Sequence, residues 1–505
     1  MPSVNPKAKH VAVFGTPRYG KTECAFKRVF GNEIRRSDRP GVVLIDPHDG
    51  FARKALIKTM EYGLLQTGKV IFDNLADTQN VPGYTFLRAS DNPDPDQQVA
   101  ENRESVSHAK SNAVRMEGKL DTSENQIIDE GLTNVFNLFI YQRTPIPFFW
   151  LQDAFNFESD RFLYLLDNCT DERTVEKFKV YSTLNPRDFE YKCGPAQRRI
   201  EKICSCPQFQ KRCVETFDFV TFLNNGGIWI GSGESKGNLS REDMSFLFGM
   251  ILLLVIQIAR SGKLKRKVIV IIDEGMNAKL IDRNIARALA EAAKWNLEFW
   301  LIIQDPLSLP DDVRDLIFQC CDTKYFFRQV SPRATRFAAE IVAIPQLDPD
   351  KVKHVDHRTR TVVESYEEIK TKGQSVRKVG TGKQVTDTTG THFRPIHKDV
   401  QEDIIQRYSF DEQVKLYEQI IATLLVGWCV IRSGSYVSKK AEYIEMLRMP
   451  WEGLVYQRKP LITLAEFKVQ KVLEQVHQRP EYQQVHQPTR ARTIPPVAQD
   501  SLLFG

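Results

Sequence analysis

Residues 15–22, Gly15, Thr16, Pro17, Arg18, Tyr19, Gly20, Lys21 and Thr22, place two glycines, a lysine and a hydroxyl group at the spacing G-x-x-x-x-G-K-[ST]. That is the pattern of a phosphate-binding loop. Its chemistry follows from the residue types. Backbone N–H groups between Gly15 and Lys21 can wrap a β-phosphate, and a following helix aims its positive end at the same anion. Lys21 reaches the β and γ oxygens, and the Thr22 hydroxyl ligates Mg²⁺. An apolar run, 11–14, precedes the loop and a helical pattern, 21–30, follows it. The loop therefore implies bound ATP and Mg²⁺, and leaves open what hydrolysis drives.

A second apolar run, "VIVIIDEG" at 268–275, ends in two carboxylates. A buried strand of this kind delivers Asp273 to the Mg²⁺ shell and Glu274 to the attacking water. Buried acids at a strand end are costly unless something uses them. Gln304 ends another apolar run, "LEFWLIIQ". An amide at the carboxyl end of a strand sits where open α/β sheets bind ligands, so it can sense the γ-phosphate or hold the water. Arg328 and Arg336 are candidate arginine fingers, with Arg333, Arg198 and Arg199 as further candidates; for any one of them surface solvation or packing is the competing role. Asp46, closing "VVLID", reads equally as a turn-forming residue before Pro47 or as a border of the nucleotide pocket. Cys193, Cys204, Cys206 and Cys213 cluster, but their spacing lacks paired C-x2-C knuckles and the segment reads as helical. They are expected to be free thiols, with zinc as the alternative.

The elements that must position these residues alternate. Apolar strand patterns at 10–14, 41–46 and 69–75 are separated by helical ones, which argues for a parallel sheet covered on both faces. Residues 93–215 carry helical patterns and no strong strand, as expected of an all-α insertion. The α/β pattern resumes at 216–348, with Ser240 and Asp243 forming a capping-box-like start to a helix over 241–260. A basic β-hairpin region is expected at 349–400, a helix over 400–424 with a hairpin return to the core by 470, and a mobile Gln/Pro/Arg-rich tail at 471–505. The fold class is α/β, with one interrupted sheet rather than two domains.

The chain has 505 residues, 42% hydrophobic and 27% charged, with a net charge of +6. The excess is concentrated: residues 351–400 hold 11 Lys/Arg against 6 Asp/Glu. Such a patch suits a polyanion such as double-stranded DNA, or a solvated Lys-rich hairpin. No secretory signal is read at the N-terminus. The most apolar run, 246–259, is interrupted by Gln257 and is too short to span a bilayer, so a soluble, cytoplasmic protein without an integral membrane segment is expected. Nine scattered cysteines suit a reducing compartment. A GTPase reading fails because no N-K-x-D segment follows a late strand.

The order "GTPRYGKT", "VVLIDPHDG", a helical insertion, "GGIWIGSGESKGNLSREDMSFLFGM", "VIVIIDEGMNA", "AEAAKWNLEFWLIIQDPLSL" and "KYFFRQVS" resembles the HerA–FtsK superfamily of DNA-pumping ATPases. Conjugative coupling proteins of type IV secretion and HerA-like relatives look closest. The resemblance covers about 10–90 and 220–345, and "YSFDEQVKLYEQIIATLLVGWCVIR" is similar to that group's tail. It implies a RecA-like sheet, a homo-hexameric ring with ATP between subunits, and DNA in a basic pore, with Lys21, Thr22, Asp273, Glu274 and Gln304 as the site. The chain departs from the pattern in three ways. It shows no leading transmembrane helices and no room for an N-terminal β-barrel, and it has Ala293–Lys294 where many coupling proteins place an Arg before the Lys. The implied function is a DNA translocase for conjugation, packaging or repair. The alternative is an ATP-dependent scaffold that organises a protein partner through the insertion or tail.

Overall fold

The computed structural model describes residues 9–79, 81–114, 122–144, 146–213, 218–233, 239–274, 280–344, 347–433, 436–437 and 442–444. The expected tail, 471–505, lies outside the described residues.

Seven apolar runs form the parallel part of one sheet: β1 (His10–Phe14), β2 (Gly41–Asp46), β3 (Val70–Asn74), β4 (Ile228–Ser232), β5 (Val268–Asp273), β6 (Leu297–Ile303) and β7 (Cys321–Phe326). Their order across the sheet is β3-β4-β2-β5-β6-β1-β7. Every residue of β1, β2, β4, β5 and β6 is buried, which is why these strands read as unbroken apolar runs rather than alternating ones. This is the expected RecA-like sheet: β6 lies between the loop strand β1 and the acidic strand β5.

The helix after the loop differs from expectation. It is α-helical only over Lys21–Ala25 and widens into a π-helix over Phe26–Asn32. Phe26 and Phe30 stack at 5.9 Å, and both meet Phe51 of the helix Gly50–Glu61 edge-on at 6.0 and 5.8 Å. That buried aromatic cluster ties the loop helix to the next one.

From Pro95 to Asn224 the described residues form helices, joined by turns and one isolated bridge, Gln142–Cys169. Cys193, Cys204, Cys206 and Cys213 are buried in this insertion as free thiols. Burial pushes the Cys193 and Cys204 thiols up to about 12 and Cys213 well above its usual value. No group of three or more His, Cys, Asp or Glu is gathered to hold a metal among the described residues.

Ser240 caps the helix Arg241–Arg260, accepting from the Asp243 N–H at 3.0 Å. At 20 residues this helix is long and apolar enough to cross a membrane, which corrects the expectation of too short a run. Its residues from Phe246 to Ile256 are nevertheless buried, and it packs on the insertion helix Pro95–Val114.

Residues 339–419 form a second compact unit. Two strands, β8 (Val352–Val379) and β9 (Gly382–Arg407), pair antiparallel along their whole length. The hairpin thus exceeds its expected boundary at 400. Residues 400–407, expected to be helical, stay in β9 because they pair with the start of β8, and the helix begins only at Phe410 (Phe410–Ala422). The chain then returns to the sheet. Strand β10 (Trp428–Ser433) adds antiparallel to β7, and the short β11 (Tyr436–Val437) and β12 (Glu442–Tyr443) pair with β10.

Candidate functional site

Four adjacent strands, β1, β6, β5 and β2, bring their carboxyl ends to one level. The register pairs Phe14 with Ile303, Asp273 with Ile302, and Ile45 with Ile272. The residues that follow are therefore neighbours: the loop after β1, Gln304 after β6, Asp273–Glu274 at β5, and Asp46 with His48 at β2.

The loop is held from behind. Gly15 N–H donates to the Ile303 carbonyl at 3.3 Å, Thr16 N–H to the Arg328 carbonyl at 2.9 Å, and Gly427 N–H to the Tyr19 carbonyl at 3.0 Å. Gly20 has φ +107, and a Cβ there would meet the Gly427 Cα and the Phe327 ring at 3.3 Å. The second glycine is thus required by backbone conformation and by close packing. Arg18, where a side chain is uncommon at φ +69, is exposed beside exposed Pro17. The Tyr19 hydroxyl accepts from Arg328 Nη1 at 2.9 Å, with the guanidinium 5.3 Å from the ring centroid.

Lys21 is 4% exposed, and burial lowers its pKa against the pull of Glu274 and Asp273. Thr22 donates to both Asp273 oxygens, at 3.4 and 3.3 Å. Burial, with Asp46 and Glu274 nearby, raises the Asp273 carboxyl to about 8. Asp46 is also raised by burial, although it accepts from the N–H groups of His48 (2.9 Å), Phe51 (2.7 Å) and Ala52 (2.8 Å). It accepts from two N–H groups in the first turn of the helix Gly50–Glu61 and also borders the carboxylate cluster. Glu274 moves the other way. His48 Nε2 lies 3.1 Å from its Oε2, and this contact, with a hydrogen bond from Gln304, holds the carboxyl below its usual range. The same contact raises His48. Glu274 has φ +48 and Asp49 φ +64, so two of the four non-glycine residues at positive φ among the described residues lie at this cluster.

These residues fit a metal–triphosphate. A buried ammonium and a buried carboxyl are both driven toward neutrality by desolvation, and each recovers its charge if a polyanion and a divalent cation are supplied between them. Thr22 and Asp273 would hold Mg²⁺, and Lys21 with the loop N–H groups would hold the phosphates.

The candidate fingers separate. Arg328 is engaged with Tyr19 of its own loop, whereas Arg336 and Arg333 lie on the exposed side of the helix Pro332–Ala343. Arg199 is buried in the insertion, and Arg198 pairs with Glu190. His48, Phe327 and Gly427 are parts of the site that sequence reasoning did not single out. For His48 the signal was present, one residue past "LIDP".

No family model matches the chain, and no curated protein does. It is similar to several solved structures. One is the bacterial conjugative coupling protein TrwBdeltaN70 in a trigonal form with sulphate (15% identity, TM-score 0.49, 88% of this chain and 87% of that one). Another is the plasmid coupling protein TrwB with ADP and Mg²⁺ (14%, 0.48, 87% and 86%). A third is VirB4 of Thermoanaerobacter pseudethanolicus (11%, 0.47, 88% and 90%). The coupling proteins are of the kind the sequence resemblance named. The likeness is one of fold, and the site's own geometry carries the functional reading.

Proposed function

We propose that the chain is an Mg²⁺-dependent ATPase that works as a ring to move double-stranded DNA. The observation that carries the ATPase reading is the convergence of Lys21, Thr22, Asp273, Glu274 and Gln304 at the carboxyl ends of three adjacent parallel strands. Bound Mg²⁺ would neutralise charge on the β and γ oxygens. Lys21 and the loop N–H groups would hold those oxygens, with Thr22 and Asp273 fixing the metal side. Glu274, kept ionised by His48 and Gln304, would accept a hydrogen bond from the attacking water and orient it. His48 is a positioning residue in this scheme, because it acts on Glu274. Arg336, exposed on its helix, is the candidate to reach a neighbouring subunit's nucleotide.

The DNA reading rests on the sequence resemblance and on the basic hairpin region. ATP hydrolysis with and without duplex DNA tests it. Stimulation by duplex, abolished in Lys21→Ala, is the expected result. Hydrolysis that is indifferent to DNA, in a protein that does not bind duplex at low salt, would overturn the motor and favour an ATP-dependent scaffold.

A further inference from the structure

The ribbon β8–β9 divides into two electrostatic halves. Its base, 352–369 with 393–407, holds six Lys/Arg against seven Asp/Glu. Its cations are largely paired: Lys353 with Glu412 at 2.6 Å, Lys398 with Glu364 at 2.9 Å, Arg407 with Asp350 at 2.9 Å, and Arg360 with Glu402 at 3.9 Å. Its tip, 370–392, holds five Lys/Arg against the single Asp387. Among the described residues, Lys372, Arg377, Lys378 and Lys383 have no ion pair, and Lys370 only reaches Glu368 at 4.0 Å.

The tip's charge is also sided. Cross-strand partners share a face and successive pairs alternate. Lys378 lies directly opposite Lys383, and the register is regular from Ser365 to the turn, so Lys370 and Lys372 lie on that same face. Like charges placed directly opposite are destabilising unless an anion lies between them. On the other face Thr371–Gly390, Gly373–Thr388 and Ser375–Thr386 are small and Arg377 lies opposite Gln384, while Asp387, opposite Gln374, shares the face of the four lysines. Apart from Gly390 the whole tip is exposed. A two-stranded ribbon is marginal in water by itself. At roughly 3.3 Å per residue, the 26 residues of β9 span about 85 Å.

We propose that this tip is a contact for duplex-DNA phosphates, entering the major groove with Lys370, Lys372, Lys378 and Lys383 toward the backbone. The groove admits a two-stranded ribbon. Small Thr and Gly side chains let the strands approach closely. The tip's apolar residues, Val376, Val379 and Val385, include no aromatic that would anchor it in a lipid interface instead. The proposal deepens the DNA reading above and rests on it.

The test is fluorescence anisotropy of a labelled duplex against the full chain. It compares the wild type, a tip variant (Lys370→Gln, Lys372→Gln, Lys378→Gln, Lys383→Gln) and a base variant (Arg358→Gln, Arg360→Gln, Lys398→Gln), all confirmed to melt alike. The tip variant should bind at least about tenfold more weakly, with a salt slope lower by roughly 3 to 4, since each phosphate contact contributes about 0.9. The base variant should stay within about threefold. Equal loss in both variants, or no loss in the tip variant, overturns the tip contact while leaving the motor reading intact. A wild type that binds no duplex overturns both. A tip variant that loses binding to phosphatidylserine vesicles but keeps duplex binding overturns the proposal in favour of a membrane contact.

Discussion

Two buried charge clusters lie near the carboxyl ends of strands in the same sheet, and they are built in opposite ways. At the edge, Asp73 of β3 pairs with Arg212 of the insertion at 2.6 Å, both fully buried. The Tyr84 hydroxyl donates to Asp73 at 2.9 Å, and Trp229 Nε1 donates to Tyr84 at 2.7 Å. Arg212 also donates to the Asp77, Gln208 and Asn74 carbonyls. Despite burial, Arg212's pKa is raised, because the Asp73 carboxylate outweighs desolvation. In the centre, Lys21 is pushed down and Asp273 up. The edge cluster is complete and holds the insertion to the sheet. In the central one desolvation outweighs the mutual attraction of Lys21 and its neighbouring carboxylates, and Glu274 is held ionised by His48 and Gln304. A buried charge whose partners outweigh desolvation serves the fold, whereas buried groups that desolvation drives toward neutrality point to a ligand.

The largest effect that separates the two is expected at the edge. Arg212→Met strands a buried carboxylate and should cost about 3–5 kcal/mol in urea unfolding, most of it recovered by adding Asp73→Leu. The insertion is held by other contacts too, so a cost below about 1 kcal/mol would show the pair to be peripheral. In the centre, Lys21→Ala should lower ATP turnover by about 10²–10³-fold, with melting of the nucleotide-free protein unchanged or raised.

Asp273→Asn sharpens the contrast through pH. Asp273's folded pKa lies above the unfolded value, so the folded chain keeps a proton that the unfolded chain has released. Stability of the nucleotide-free protein therefore falls as pH rises from 3.8 to about 8. Asp273→Asn should remove that contribution to the slope and stabilise the protein by on the order of 1 kcal/mol at pH 8, while abolishing hydrolysis. A variant less stable than wild type at pH 8 would contradict the assignment. The smallest effect is at Arg18: Arg18→Gly relieves a left-handed side chain and should add about 1 kcal/mol to stability, read as a higher melting temperature.

The central cluster was legible where a chemistry-bearing residue ended an apolar run or stood at the spacing of the phosphate-binding loop. Asp273, Glu274 and Gln304 announce themselves where an apolar strand run gives way to a polar residue, and Lys21 and Thr22 by the glycine-lysine-hydroxyl spacing of the loop. His48 carried a signal, standing directly after the Asp-Pro that closes an apolar run, but a histidine there reads as turn. Gly427 and Phe327 were hidden because their role is to back a loop hundreds of residues or more away in the chain, and nothing local marks that. Residues 400–407, "VQEDIIQR", carry helix-forming Glu, Gln and Ile. Cross-strand pairing with the start of β8 overrides that preference, and a partner 40 (Arg360–Val400) to 55 (Val352–Arg407) residues upstream leaves no trace in a local pattern. The π-helix after Ala25 was likewise invisible, since the contact of Phe26 and Phe30 with Phe51 is made across to another helix and leaves no local pattern.

Glu274→Gln tests the central claim most directly, with Mg-ATP binding and turnover measured on the same protein. If Glu274 orients the water while Lys21, Thr22 and Asp273 hold the nucleotide, the variant binds within about threefold of wild type and turns over at least about 100-fold more slowly. Turnover near the wild-type rate, or binding lost to the extent seen in Lys21→Ala, would contradict the account.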